Sequence, residues 1–322
     1  MPEGAAGNAT IARPQSASPM RPSDIAWLVF LAALWGSSFI FLRIAALEMD
    51  PGWIAFLRTG LSALAVLAYT AALRLPLAIK QHWRAYLIVG SLNASLPWLL
   101  YSYAGKTLPA SYMVMMNSLT PIFVVLFSAG IAAERITATK IIGMLLGFAG
   151  VAMIVGLGPL AINREVMIAV ALCLVSVSAY ALGGIATRRY GREQDSRVLT
   201  AGSMLLATPL LLPTLGPAMS LDPASSGPSM AAIVSLLALG VGSSGFGYLV
   251  YYRLVTRVGA TRALTVTYLM PLFGTFYGVV LLGEPFGIGM AAGGITVLLA
   301  TALVTGLIDN QRGRKTSRKT AA

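Results

Sequence analysis

The stretch from residue 108 to residue 134 is a long apolar run with a proline inside it and a single acid at its end. An apolar run of about 18 residues or more is long enough to cross the hydrocarbon core of a bilayer as a helix. Several other runs of that length follow one another along the chain. Hydrophobic residues make up 57% of the 322 residues and charged residues only 11%, whereas a soluble domain has about 25% charged residues. The sequence therefore predicts an all-α, polytopic membrane protein.

The same layout returns 150 residues later, from 258 to 284. Pro121 matches Pro271 and Glu134 matches Glu284, with no gap between the two matches. Further pairs at this spacing are Gly90 and Gly240, Leu99 and Leu249, Tyr101 and Tyr251, and Gly143 and Gly293. An internal repeat explains these matches, and in membrane transporters the substrate site lies between such repeats.

We expect ten membrane-spanning helices arranged as two five-helix repeats. Because each repeat has an odd number of spans, the repeats must be inverted, which is the geometric basis of alternating access. Two prolines interrupt the seventh span, which is short. The predicted spans are 24–45, 52–74, 85–105, 108–131, 139–158, 166–187, 198–215, 230–252, 260–283 and 286–308. The predicted division is a disordered tail 1–22, a first repeat 23–158, a second repeat 166–308 and a basic tail 309–322.

The net charge of +12 has a topological explanation. Nineteen of the 23 lysines and arginines fall on the side of the two tails, whereas only Lys106 and Arg164 fall on the other side. Basic loops remain on the cytoplasmic side of a membrane. We therefore expect a multi-pass protein of the inner (plasma) membrane with both termini in the cytoplasm, and no nucleic-acid partner.

Enzyme chemistry has little support in this sequence. Cys173 is the only cysteine and His82 the only histidine, and neither a Walker pattern nor a nucleophile–base pair is present. We expect no catalytic residue, no metal and no cofactor. The predicted partners are the lipid bilayer and a small-molecule substrate, with monomer and homodimer both open.

Pro121 and Pro271 lie at equivalent places in long apolar runs. Proline lacks an amide proton and clashes with the carbonyl four residues earlier, so each is expected to kink its helix. Such a kink serves either packing or gating, and its recurrence in both halves favours gating. Asn117 and Thr267, which are also equivalent, place polar groups at membrane depth, where either an interhelical hydrogen bond or a substrate explains them.

Charged residues near the spans are few. Arg58 lies clearly inside a predicted span, and its side chain either snorkels to the surface or holds a substrate carboxylate or an anionic lipid headgroup. Glu134 and Glu284 each precede a helix, and we expect each carboxylate to stabilise the positive end of the helix that follows it. Glycine pairs in the last span of each repeat predict close helix approach there: Gly143 with Gly147, and Gly289 with Gly293.

Small and aromatic residues share one helical face in the third span and again in the eighth. Trp98 and Tyr248 are equivalent, as are Tyr101 and Tyr251. Such rings either wall a cavity and offer polar tips to a substrate or form an interfacial aromatic belt. Asn93 is a further candidate polar contact.

Six segments cover nearly the whole chain between the tails: WGSSFIFLRIA at 35–45, FLRTGLSALA at 56–65, LPASYMVMMNSLTPIFVVLFSAGIAAERIT at 108–137, GMLLGFAGVAMIV at 143–155, VSAYALGGIATRRY at 177–190 and GATRALTVTYLMPLFGTFYGVVLLGEP at 259–285. In this order and duplication they resemble the EamA family of the drug/metabolite transporter superfamily. The resemblance implies a ten-helix bundle of two inverted five-helix repeats, which exports or exchanges amino acids, related metabolites or drugs.

The resemblance also implies a central cavity lined chiefly by the third, fourth, eighth and ninth helices. Carried onto this chain, the lining residues are Asn93, Trp98, Tyr101, Asn117, Ser244, Tyr248, Thr267 and Tyr268, with Trp35 and Tyr180 from the first helix of each repeat. Arg58 has no basic counterpart in the seventh span, so the two halves differ chemically there.

Three functions remain in contention. The leading hypothesis is a secondary transporter that exports or exchanges small metabolites, with amino-acid efflux the best single prediction. A flippase for a lipid-linked carrier or an amphipathic drug is the second and would need a lateral opening to the bilayer. A membrane-embedded transferase is the third and would need a catalytic cluster that the sequence does not contain.

Overall fold

The computed structural model describes residues 20–132, 137–192, 194–215, 227–263 and 265–305, and every regular element within them is a helix. The first half of the chain forms α1 (Pro22–Glu48), α2 (Pro51–Ala72), α3 (Ile79–Gly90), a π-helical segment (Ser91–Ser95), α4 (Leu96–Ala104), α5 (Ala110–Asn117), α6 (Thr120–Ala132) and α7 (Ala138–Gly156). The second half forms α8 (Arg164–Tyr190), α9 (Ser196–Ala207), a 3₁₀ segment (Pro209–Thr214), α10 (Met230–Leu237), a π-helical segment (Ala238–Phe246), α11 (Gly247–Val258), α12 (Ala260–Ala263), α13 (Val266–Leu282) and α14 (Ile288–Val304).

Six helical segments of the described chain are long and apolar enough to cross a membrane, and α13 and α14 are shorter apolar helices. These eight segments coincide with eight of the ten predicted spans. The third predicted span is helical but contains Asn93 and Pro97, which lower its hydropathy. The seventh is reduced to α9 because Pro209 and Pro213 turn the chain that follows into a 3₁₀ segment.

Several helices begin at side-chain caps that the sequence supplies. Asp50 precedes Pro51 at the start of α2, and its carboxylate accepts the Gly52 N–H at 2.8 Å. Asn163 accepts the N–H of Val166 at 2.8 Å at the start of α8. These side chains satisfy backbone donors that the first turn of a helix leaves without a partner.

Glycines of the two predicted pairs allow α7 and α14 to approach each other closely. A Cβ added at Gly293 would lie 2.5 Å from the carbonyl oxygen of Gly150, and one added at Gly143 would lie 2.7 Å from Val304. A real side chain does not tolerate such distances, so the two backbones approach closely only because glycine stands at these positions. The expected close helix approach in the last span of each half is present, and the structure shows that the partner of each of these helices is the other.

A second close crossing joins α1 to α13. A Cβ at Gly36 would lie 2.9 Å from the backbone nitrogen of Gly274. Nearer the start of both helices, Leu31 belongs to the same buried cluster as Val266. The two helices therefore run side by side in the same direction, and both end at one end of the molecule.

The two equivalent prolines lie in different helical contexts. α5 ends at Asn117 and α6 begins at Thr120, so Pro121 stands in the first turn of α6, where a missing N–H costs little. Pro271 lies inside α13, which runs unbroken through it. A helix break therefore precedes Pro121 directly, and the gating role of both prolines remains a prediction.

The expectation for Glu284 is wrong. This carboxylate does not cap α14, whose N-terminal residue Gly287 makes no side-chain cap. It binds instead the N–H groups of Ala110 and Ser111 at the start of α5, in the other half of the chain. The main chain turns back after α13, because the Glu284 N–H donates to the carbonyl of Gly278. This turn directs the carboxylate toward α5 rather than toward α14. Glu134 lies outside the described residues.

Candidate functional site

Arg58 lies inside α2 and is only 9% exposed. Its Nε donates to the hydroxyl of Ser244, in the second π-helical segment, at 3.1 Å. The guanidinium carbon lies 4.2 Å from the ring centroid of Trp98, a distance at which an aromatic face attracts a cation. Arg58 therefore joins α2 and α4 of the first half to the second half.

No carboxylate neutralises Arg58 among the residues that the structure describes. The two ion pairs found there join Arg197 to Asp195 and Arg257 to Asp24. Apart from its bond to Ser244, the guanidinium makes no other hydrogen bond within the described ranges. A buried cation without an anion costs several kcal/mol, roughly the penalty for taking an ion out of water. A site of this kind favours an anionic ligand, because the ligand supplies the missing charge.

Aromatic side chains surround the guanidinium. The hydroxyls of Tyr180 and Tyr248 are close enough to interact with Arg58 electrostatically. Tyr180 also packs in the same cluster as Trp98. The ring of Tyr180 lies 6.2 Å from that of Tyr101. The structure thus brings five of the predicted residues together in one cluster, which we call the Arg58 site: Arg58, Trp98, Tyr180, Ser244 and Tyr248.

Tyr101 and Asn117 extend the Arg58 site toward α5. The hydroxyl of Tyr101 donates to the Oδ1 of Asn117 at 3.3 Å, and both residues were predicted to line the cavity. Tyr101 is almost fully buried, and its ring also meets Phe39 of α1 edge-on at 5.5 Å. This interhelical hydrogen bond satisfies the polar side chain of Asn117 at membrane depth. Its donor, Tyr101, also contacts Tyr180 of the Arg58 site.

Trp35 forms the α1 side of the cluster. Its indole N–H donates to the carbonyl of Ser243 at 2.9 Å, and its ring lies 5.9 Å from Tyr248 and 5.5 Å from Tyr251. A Cβ at Gly247 would lie 2.5 Å from the indole nitrogen. Glycine at that position is therefore required for the tryptophan to reach the π-helical backbone.

Two predicted residues, Asn93 and Tyr268, lie in other contacts. Asn93 donates to Thr187 of α8 at 3.1 Å. Tyr268 lies close to Thr305, just beyond α14, and Thr267 is half-buried beside it on α13. The structure therefore does not bring Asn93 or Tyr268 into the cluster around the guanidinium.

The sequence reasoning missed the two π-helical segments. Residues 91–95 and 238–246 overlap under the 150-residue repeat, and each segment runs directly into the helix that supplies an aromatic residue of the site. π-Helical turns are rare and are found frequently at functional sites. Pro97 was the available signal in the first half, because its missing N–H cannot continue the α-helical bonding pattern.

One concavity of the described chain lies outside the Arg58 site. It is an apolar groove of about 760 Å³ between α2 and the α9 region, lined by residues such as Leu61, Leu64 and Leu212. A second cavity of about 350 Å³ is lined in part by Arg197, Arg253 and Tyr252. The groove offers almost no polar group, so it suits lipid chains better than a polar ligand.

Comparison with known proteins decides the family. The EamA-like transporter family model matches residues 23–156 and again residues 167–306. The chain belongs to the EamA-like transporter family. It is thus a multi-pass membrane transporter, as its apolar helices also indicate.

Individual relatives are distant but span most of the chain. The uncharacterized transporter YvbV of Bacillus subtilis (strain 168) is 28% identical over 279 residues, which cover 86% of this chain and 90% of that protein. A probable terminal-alkyne amino-acid exporter of Streptantibioticus cattleyicolor is 25% identical over 270 residues, covering 82% and 88%. A solved crystal structure shares the fold of this EamA-like chain, with a TM-score of 0.63 at 20% identity, covering 91% of this chain and 99% of the other.

Proposed function

We propose that this EamA-like transporter exports or exchanges small metabolites that carry a carboxylate, with amino acids as the favoured class. The Arg58 site binds the solute, and Arg58 holds its carboxylate. The observation that carries the proposal is a buried guanidinium without a neutralising acid in the described ranges.

Geometry supports a carboxylate as the ligand. The Nε of Arg58 is engaged by Ser244, whereas the two terminal nitrogens make no bond within the described part of the protein. Terminal guanidinium nitrogens bind a carboxylate through two parallel hydrogen bonds, which are stronger than neutral ones. The Trp98 face on the guanidinium fixes its plane, so less conformational freedom is lost on binding.

The rest of an amino acid would meet aromatic rings and hydroxyl groups. Tyr180, Tyr248 and Trp35 offer ring faces to an ammonium group or an apolar side chain, and Tyr101 offers a hydroxyl. A relative named as a probable amino-acid exporter adds support, although its identity to this chain is 25%.

The transport cycle follows from the proposed architecture. Ten spans in two inverted five-helix repeats, 23–158 and 166–308, would expose the Arg58 site to each side of the membrane in turn. Both termini would lie in the cytoplasm, because 19 of 23 basic residues fall on their side. Pro121 and Pro271 would allow the helices that carry them to bend between the two states.

A binding screen tests the ligand class. Purified protein is titrated with a panel of amino acids and with the α-amide of each amino acid, which has the same side chain but no α-carboxylate. Binding of at least one amino acid, with its amide at least tenfold weaker, is the expected result. Equal affinity for an amino acid and its amide would contradict a role of Arg58 in carboxylate binding.

A further inference from the structure

Glu284 holds the N-terminus of α5 from the opposite half of the chain. Its two carboxylate oxygens accept the N–H groups of Ala110 and Ser111 at 2.6 and 2.9 Å. These N–H groups belong to the first turn, where a helix offers them no acceptor. Hydrogen bonds to an ionised group are about twice as strong as neutral ones, and the positive end of the α5 dipole adds to them.

The backbone around Glu284 is shaped for this contact. Gly283 has a φ of 63°, the left-handed conformation with which α13 ends. A Cβ at Gly278 would lie 2.4 Å from the Oε2 of Glu284 and would displace the carboxylate. At the equivalent places in the first half stand Ala133 and Ser128, so the repeat does not duplicate these glycines.

α5 links this contact to the Arg58 site. It is eight residues long, so about 12 Å separates its two ends at 1.5 Å per residue. Glu284 holds one end, and at the other end Asn117 accepts the hydroxyl of Tyr101. In between, Val114 packs against α13 at Gly274. A shift of α5 relative to α13 would therefore break the Glu284 contact and, at the same time, displace the hydrogen bond between Tyr101 and Asn117.

A second carboxylate forms hydrogen bonds between the two halves at the same end of the molecule. Glu48, the last residue of α1, accepts the N–H and hydroxyl of Ser229 at the start of α10, at 2.7 and 2.8 Å. Because α1 and α13 run side by side, Glu48 and Glu284 lie at the end where both helices terminate. Arg43 lies close enough to Glu284 to interact with it electrostatically and donates to the Gly105 carbonyl at 2.6 Å.

We propose that Glu284 is the positioning residue of a gate: its contact with α5 closes the route to the Arg58 site from the end where α1 and α13 terminate, and the transport cycle requires the contact to break. The inference rests on the proposed alternating-access function. In the proposed topology this end faces the outside of the cell.

Cysteine labelling from outside tests the gate without any substrate. Cys173 is replaced by Ala, and Leu108, which is fully buried just before α5, becomes the reporter as Leu108→Cys. A membrane-impermeant maleimide is added to intact cells. We expect Glu284→Gln, which can accept only one of the two N–H bonds, to increase the labelling rate several-fold. Glu284→Asp, whose shorter side chain cannot reach both N–H groups, should increase it as well.

Asp50→Asn is the matched control. Asp50 also caps a helix start, α2, next to the end of α1, but its bond stays within one half of the chain. We expect it to lower the melting temperature without changing the labelling rate.

Two results would overturn the gate. One is a labelling rate in Glu284→Gln and Glu284→Asp equal to that of the parent. The other is an equal increase in Asp50→Asn, which would show general loosening of this end. If Glu284→Gln does not fold, Glu284→Asp decides between the outcomes. Since no substrate is added, failure of the gate is distinguishable from failure of the proposed transport activity.

Discussion

Arg58 is the residue on which the proposed substrate binding of this transporter depends. The sequence placed a cation inside a span and left open whether it snorkels or binds an anion. The structure adds what surrounds it: a hydroxyl from Ser244, the face of Trp98 and two tyrosines, without an acid among the described residues. Those contacts could not be predicted from the sequence, because they join residues 58, 98, 180 and 244 across four separate helical segments.

Replacing Arg58 by Gln should weaken substrate binding without lowering the thermal stability of the protein. We expect ligand affinity to fall about 10- to 100-fold, since a hydrogen bond to a charged group contributes about 1.5–3 kcal/mol. The melting temperature should stay equal or rise, because an uncompensated buried charge is removed. Titration with the best amino acid and a thermal melt measure the two effects.

Arg43→Gln is the matched control, because Arg43 is also an arginine within the predicted spans but donates to the Gly105 carbonyl. It should retain affinity. A loss of affinity in Arg43→Gln equal to that in Arg58→Gln would contradict a specific role of Arg58.

Gly247 sets the position of Trp35. In Gly247→Ala, the new methyl group would lie 2.5 Å from the indole nitrogen, so the ring must move and lose its bond to the Ser243 carbonyl. We expect a loss of about 1–3 kcal/mol in unfolding free energy, typical of overpacking, and weaker ligand binding. Gly242→Ala is the control, because its Cβ would meet no atom within 4 Å. Equal effects of the two substitutions on the denaturation midpoint would refute this account.

At the scale of elements, local signals in the sequence were informative and long-range ones were not. The glycine pairs predicted close helix approach in the last span of each repeat, and the prolines of the seventh span predicted its interruption. The π-helical segments and the contact of Glu284 with α5 were missed. A π-helical segment depends on which backbone carbonyl accepts each N–H, and the sequence does not specify this. The contact of Glu284 with α5 depends on how the two halves pack, and its partners are more than 170 residues apart in sequence.

A disulfide can replace the Glu284 contact between α5 and α13. A Cβ at Gly278 would lie 3.4 Å from the Cβ of Ser111, close to the separation of about 3.5–4.5 Å in disulfides. In the background Glu284→Ala with Cys173→Ala, the pair Ser111→Cys and Gly278→Cys should cross-link on oxidation. Oxidised protein should lose substrate exchange in proteoliposomes and regain it with a reductant. Exchange that persists in fully cross-linked protein would show that α5 and α13 need not separate.

At the scale of the whole molecule, the sequence predicted the class and the family from hydropathy, the 150-residue repeat and motif order, and the match to the EamA-like model confirms the family. The eight apolar segments agree with eight of the ten predicted spans. The third span is less apolar because it contains Asn93 and Pro97. The seventh span is shorter because Pro209 and Pro213 end its α-helix. The inverted arrangement of the halves remains a prediction about topology.

Exchange of radiolabelled amino acids in proteoliposomes tests the central claim, that a carboxylate bound to Arg58 is carried across the membrane. Wild-type protein should exchange at least one amino acid well above empty liposomes, with faster flux when unlabelled substrate is present on the opposite side. Arg58→Gln, reconstituted in equal amount, should lose most of that flux, and Arg84→Gln, at an exposed arginine of α3, should keep it. No flux for any carboxylate-bearing solute, or equal flux in wild type and Arg58→Gln, would contradict the account.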